Sequence, residues 1–448
     1  MSEPAPATFS RWTVTLSILG VVMLVLYRVG VRSRSVPDIR FFLELVLIQL
    51  LIYFGVVWLS LRTKDSPQLL VLGLIFAALF RIAILFYPPY LSDDIYRYIW
   101  DGRVQSAGIN PYRYVPANES LAKLRDDKIY PNINRRDYAR TIYPPVAEGA
   151  FFLTTRFSES VTWMKAVMVG CEAITVWAVI QLLTSFGLAR QRVLIYAWHP
   201  LAVWELAGSG HLDALAIAFL AAALLAHRKH QETLTGFLLA CATGVKLFPA
   251  VLFPAFYRRW SWKMPLAFVV TIFIAYLPYI SVGPLGVLGF LPGYASERGM
   301  VSGEQFFLLT VARRLFSVHV PVIAYLIFSV AVLGILSFWL LRVQRNDDVR
   351  YVRNCLIIAS VFVFLLAPHF AWYFCWLILF LCFIPSVPVL YLTGASFLLY
   401  LTWINDTAGR VMLLKTFIFG PFLILQLIVF WWRRYAQTNS EPAKQARA

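Results

Sequence analysis

The sequence predicts an all-α fold, a polytopic transmembrane helical bundle of about 12–14 spans. Three observations predict it. The 448 residues are 60% hydrophobic and only 14% charged, with a mean hydropathy of +0.69, which no soluble globular chain of this length matches. Apolar runs of about 20 residues recur, the length a helix needs to cross a hydrocarbon core. The short alternating segments that build a membrane β-barrel are absent.

In order, the apolar runs are 12–29, 41–61, 69–87, 160–184, 190–207, 211–227, 233–245, 247–258, 263–281, 320–341, 350–366, 371–384, 387–403 and 410–433. The first follows a single arginine and carries no small-residue cleavage pattern, so it reads as a retained span and not a signal peptide. The pieces on either side of Lys246 are short and read as a hairpin of tilted or broken helices. The chain thus divides into N-terminal spans (1–87), a long loop (88–159), a core module (160–281), a second long loop (282–319), C-terminal spans (320–435) and a tail (436–448).

The net charge is +17. The basic residues fall in the gaps between apolar runs and not on one face. They therefore indicate anionic lipid and membrane orientation, and they exclude a nucleic-acid partner. Arg190 with Arg192, Arg228 with Lys229, Arg258 and Arg259 with Lys263, the stretch 342–353, and Arg433 with Arg434 fit one side, expected to be cytoplasmic. The other side then holds both long loops, 208–211 (GSGH), Lys246 and 368–370 (PHF). Parity turns on 144–157 (PPVAEGAFFLTTRF), which opens with two prolines and carries Glu148. At about 14 residues it is too short to span comfortably and reads as a helix that dips in from the outer face and returns. Arg28, Arg32, Arg34 and Arg40 run against the scheme, since they fall outside.

Cys171, Cys241, Cys355, Cys375 and Cys382 all lie in apolar runs without metal-like spacing and read as small core hydrophobes. No cytoplasmic loop is long enough for a nucleotide-binding domain, and neither a P-loop nor a Gly-rich fingerprint is present. Chemistry is expected on the two long loops and the helix ends beside them.

One stretch concentrates it: LSDDIYRYIWDGRVQSAGINPYRY, from Leu91 to Tyr114. Read as a helix over 92–105 along the outer surface, it has Ser92 as N-cap and Asp93 and Asp94 in the first turn. Asp94, Arg97, Tyr98 and Asp101 then share a face, while Ile95, Ile99 and Trp100 turn to lipid or core. An i,i+4 Arg97–Asp101 pair and acids at a helix N-terminus also have a purely structural reading, worth a few tenths of a kcal/mol. The acids, however, stand at a hydrocarbon boundary among aromatics, where desolvation raises a carboxylate toward the basicity a general base needs. His199, Glu205, His211 and Asp213 lie at or near membrane depth, where ionisable residues are rare and usually functional. Lys246 stands at a helix break before Pro249, as a snorkelling lysine or as a phosphate partner. Arg298, Glu304, Arg313, Arg314 and His369 are weaker candidates. Acids beside a hydroxyl nucleophile and a cation beside a leaving phosphate suit group transfer from a phosphate-activated donor. On this side of a membrane a lipid-linked phosphosugar suits that donor role.

The blocks SDDIYRYIWDGRV, GINPY, IYPP, HPLAVWELAGSGHLDAL and TGVKLFPAVLFP, over about residues 88–258, resemble the GT-C superfamily of membrane glycosyltransferases. More closely they resemble bacterial polyprenol-phosphate-mannose-dependent mannosyltransferases, and more distantly the enzyme that adds the first mannose to GPI. The resemblance implies transfer of a hexose, mannose first among them, from a polyprenyl-phosphate sugar to an extracytoplasmic glycan or glycolipid, with inversion. It implies a carboxylate of the first long loop as general base, Asp94 before Asp93. Arg97, Asp101, Arg103, Tyr143, His211, Asp213 and Lys246 would bind substrate or phosphate. It further implies a bacterial plasma-membrane location with the site facing outward. Two departures stand out. The acidic block follows the third span where the family's often follows the first, and the acids are adjacent, not spaced Asp-x-Asp. No cofactor is expected, and a divalent metal is not expected to be essential. A flippase or secondary transporter is the competing class. It would need inverted repeats and a line of buried ionisable residues, which Glu44 and Glu172 do not form.

Overall fold

The computed structural model describes residues 11–32, 39–89, 91–258, 260–317, 320–342, 349–404 and 407–445, and every regular element among them is helical. Helices α1 (Arg11–Arg32), α2 (Ile39–Arg62) and α3 (Pro67–Leu85) lead. α4 (Asp94–Ser106) and α5 (Pro145–Thr155) lie within the first long loop, and α6 (Val161–Ser185) follows it. Among the described residues, seven helices are long and apolar enough to cross a membrane: α1, α2, α3, α6, Lys263–Val282, Val322–Arg342 and Gly409–Tyr435. A further pair, Pro200–Gly208 and Asp213–Arg228, is bent by 118°.

Other predicted spans are shorter or interrupted. Glu232–Val245, Ala371–Leu381 and Val387–Trp403 have 10–17 residues, and the 247–258 run is a 3-10 turn, Phe248–Leu252, joined to the short helix Phe253–Phe256. Prolines cause much of this, since each removes an N–H and clashes with the preceding turn. Pro200 follows His199 at one break, and Pro249, Pro254 and Pro388 open helical turns elsewhere. Irregular backbone at membrane depth survives only inside protein, where its polar groups find partners. Here Tyr53 donates to the Ile195 carbonyl (2.8 Å) and Trp198 Nε1 to the Gly73 carbonyl (2.8 Å). Trp204 Nε1 reaches Gln49 (2.8 Å), and His199 Nδ1 accepts the Leu201 N–H (3.1 Å). His199 is thus a local cap at the break.

Two ties fix the direction of α3 and α6. At one end Lys165 donates to the carbonyls of Ile84 (2.9 Å) and Tyr87 (2.8 Å). At the other, Arg190 pairs with Asp65 (2.7 Å). The two helices are antiparallel, so everything between them stays on one face. α5 does not cross: its eleven residues reach about 16 Å, against about 30 Å of hydrocarbon. Arg228 donates to the Ser185 carbonyl (3.1 Å) and Arg258 to the His227 carbonyl (3.2 Å), which gathers these basic loops with Arg190 on the opposite face. Arg28 stays on the α4 face, beside Tyr87 and the Ala83 carbonyl. Arg34 and Arg259 lie outside the described residues.

Glu172 is not a stray acid. Arg81 of α3 donates to both of its oxygens (2.5 and 3.1 Å) and to the carbonyls of Ala77 (3.0 Å) and Ala197 (2.8 Å). This buried pair ties α3, α6 and the broken 190–208 segment together.

Candidate active site

α4 begins at Asp94, with Asp93 at the cap position, two residues later than the predicted start. Ser92 still serves the first turn, its Oγ accepting the Asp94 N–H (3.2 Å). The predicted face exists, but α4 is not a surface helix. Ile95, Arg97, Tyr98, Ile99, Trp100 and Asp101 are all buried, because α5, α6 and the 208–211 turn enclose it. Gly210 permits that enclosure. Its φ is +73°, and a Cβ there would come within 2.5 Å of Ile95 Cδ1.

Buried in this way, Arg97 and Asp101 form a scaffold and not a weak surface pair. Arg97 Nε donates to both Asp101 oxygens (2.8 and 3.1 Å) and Nη1 to the Ala139 carbonyl (3.1 Å). Burial pushes the Asp101 carboxyl up despite the arginine. Next to it, Glu148 of α5 accepts from Thr141 (2.6 Å) and Gln105 (2.9 Å). Gln105 in turn accepts from Tyr279 (2.9 Å), ahead of the second long loop.

The two long loops close on each other over a cavity of about 630 Å³. The Phe290 N–H donates to the Thr141 carbonyl (3.0 Å), and Asn110 reaches Ser281 (3.0 Å). Arg135 and Tyr138 both donate to Glu297 (2.7 and 2.9 Å). Burial pushes the Glu297 carboxyl up, but these two donors outweigh it and hold it below its usual value. Its lining combines the polar residues Asp93, Asp94, Asn134, Arg135 and Lys246 with the apolar side chains of Leu247, Phe248, Phe362, Val363, Leu366 and Trp376. Asn134 donates to Oδ1 of Asp93 (2.7 Å) and Oδ1 of Asp94 (2.9 Å). Burial pushes the Asp94 carboxyl above the ordinary range. The Asn134 hydrogen bond opposes this, the Asp93 charge adds to it, and Lys246 and Arg135 oppose it.

Of the residues predicted from sequence, Asp93, Asp94, Arg97, Tyr143 and Lys246 line this cavity. Asp213 stands directly behind the wall, 2.8 Å from the Lys246 ammonium, which also lies 4.8 Å from the Tyr373 ring centre. His211 lies behind it too, stacked on Trp372 (4.3 Å between ring centres) and 3.3 Å from Glu205, which accepts from Tyr400. Arg103 is elsewhere. It pairs with Asp126 and Glu159 (both 2.8 Å) and the Leu124 carbonyl (2.9 Å), stitching the loop together. Arg298, ranked low from sequence, lines the cavity with its guanidinium 4.4 Å from the Phe370 ring centre. Arg313 instead holds the Val320 and Ser302 carbonyls, and His369 faces Lys415 (3.4 Å). Sequence reasoning passed over Asn134, Arg135, Arg140, Tyr294, Glu297 and Tyr373, all cavity residues. The basic run NRRDYAR, 134–140, was the available signal for the first three.

Adjacent Asp93 and Asp94 are the natural place to test for a metal. The Asn134 amide already bridges them with N–H donors, the position a shared cation would take. Among the described residues no group of three or more His, Cys, Asp or Glu side chains is arranged to hold a metal ion.

A many-helix membrane protein with a cavity equipped for acid–base and anion chemistry is a membrane-bound enzyme in outline. Residues 22–263, more than half of the chain, match the MptA_B family, described as alpha-(1->6)-mannopyranosyltransferase, N-terminal domain. The chain belongs to that family, and its chemistry is mannosyl transfer from a sugar donor to an acceptor. No curated protein matches the sequence significantly.

Proposed function

We propose that the chain transfers mannose from a polyprenyl-phosphate donor to a hydroxyl of an extracytoplasmic glycan or glycolipid, with Asp94 as general base. The observation that carries this reading is the cavity itself, whose lining joins a desolvated carboxylate, with the charges of Lys246 and Arg135 acting on it, to several large apolar side chains. The sequence carries no Gly-rich nucleotide fingerprint, whereas Phe248, Phe362, Val363 and Trp376 offer a prenyl chain apolar lining. The α4 face carrying the cavity is the outer one by the distribution of basic loops, in keeping with a bacterial plasma membrane.

The reaction is a single in-line displacement. Asp94 takes the acceptor hydroxyl proton as the acceptor oxygen bonds to the anomeric carbon. The bond from that carbon to the phosphate oxygen breaks, and polyprenyl phosphate leaves with the electron pair. Lys246, with Arg298 and Arg140, stabilises the phosphate charge. Asp213 orients Lys246, Asp101 orients Arg97, and His211 backs the aromatic wall through Trp372. Tyr143 lines the cavity beside Tyr98.

The test is purified full-length protein given labelled polyprenyl-phosphate hexoses one at a time, with a short α-(1→6)-linked oligomannoside as acceptor. New mannosides from the lipid donor are expected. Transfer from a nucleotide-activated mannose instead, or movement of lipid-linked sugar across vesicles without a new glycosidic bond, would overturn it.

A further inference from the structure

We propose that Asn134 is a positioning residue for this reaction, clamping the two aspartates so that one oxygen of Asp94 faces the acceptor hydroxyl. The inference rests on the reading of Asp94 as base and goes one residue beyond it. Asn134 is 41 and 40 positions away from the acids it serves, so the clamp is a tertiary feature. Its single amide nitrogen uses both hydrogens, one on each carboxylate, at 2.7 and 2.9 Å.

The loop that carries it is itself fixed. Ile133 is buried, Arg135 has a φ of +53°, and the Ala139 carbonyl is held by Arg97 of α4. The Ala117 N–H also donates to the Arg136 carbonyl (3.0 Å). A side chain mounted this firmly sets the geometry of what it binds.

Three consequences follow. The bond to Oδ1 stops rotation of the Asp94 carboxylate and leaves Oδ2 free for the acceptor. The bond to Asp93 keeps a second negative charge beside Asp94, which strengthens it as a base. A neutral amide does both without adding charge beside the acids, so Lys246 and Arg135 remain the cations acting on Asp94. Displacing a reacting group by about 1 Å can cost about a hundredfold in rate.

The experiment compares wild type, Asn134→Leu, Asn134→Ser and Asp94→Asn as full-length proteins in nanodiscs. The probes are polyprenyl-phosphate [3H]mannose and a synthetic α-(1→6)-dimannoside. Melting temperature and elution volume establish folding. For Asn134→Leu, kcat should fall about 10–100-fold with little change in donor KM. The acid limb of the pH–rate profile should move to higher pH, because the ionised carboxylate has lost a donor. Asn134→Ser, with one hydroxyl donor, should fall between and keeps the test alive if the leucine variant does not fold. Wild-type kcat and an unmoved acid limb in a folded Asn134 variant would overturn the clamp. If Asp94→Asn is inactive in that same experiment, the base reading stands and only the clamp fails. An active Asp94→Asn would bring down both.

Discussion

Two of the charge clusters among the described residues, Arg81–Glu172 and the one at the start of α4, are finished differently. Arg81 and Glu172 close on each other: both carboxylate oxygens are taken, and the guanidinium also holds two carbonyls. The cluster at the start of α4 is left open, with Asp94 half-buried on a cavity that Lys246, Arg135 and Arg298 also enter. Ionisable residues within a membrane protein are functional suspects by default. The contrast refines that rule, because a saturated pair binds helices whereas an unsaturated one can bind substrate.

The comparison can be broken at either end. The largest effect is expected at the open cluster, where Asp94→Asn should lower transfer about 10²–10⁴-fold with melting temperature unchanged. At the closed cluster, Glu172→Ala should do the reverse. It leaves a buried guanidinium without its partner, a loss of about 3–5 kcal/mol, read as a drop in melting temperature and in folded yield. A melting temperature equal to wild type would show that the Arg81–Glu172 tie is dispensable.

A smaller effect is expected in the pH profile. Burial raises Asp94, and only its deprotonated form accepts the hydroxyl proton. Activity should therefore be lost as pH falls through a limb lying above the ordinary aspartate value of about 4. A flat profile down to that value would deny Asp94 its proton-accepting role. The smallest effect is expected from chelation. With the Asn134 amide between Asp93 and Asp94, excess chelator should leave the rate within about twofold of its starting value. Loss of activity restored by one divalent ion would reverse that expectation.

Much of the fold was legible because hydropathy alone reports helices that lipid surrounds. Lys263–Val282 and Val322–Arg342 were visible as runs for that reason. The interior pieces were harder. A run such as 190–207 is apolar whether it is one helix or a broken one; Pro200 marks the break in the sequence, but the distant partners that Trp198, Tyr53 and Trp204 find around it do not show there. The acidic block of the site was legible from its charge in an apolar chain. Its setting was not: amphipathic spacing placed α4 on the surface, while Gly210, α5 and α6 bury it. Asn134 was harder to single out: it opens the basic run 134–140, but an asparagine carries no periodic or charge signal of its own. Arg103 shares a helix with Asp94 but turns to Asp126 and Glu159, a direction that spacing along the chain does not give.

The most direct measurement is donor binding and transfer recorded side by side for Asp94→Asn. We expect unchanged affinity for polyprenyl-phosphate mannose together with transfer reduced at least about a hundredfold. Transfer at the wild-type rate by a variant that binds donor normally would contradict the account.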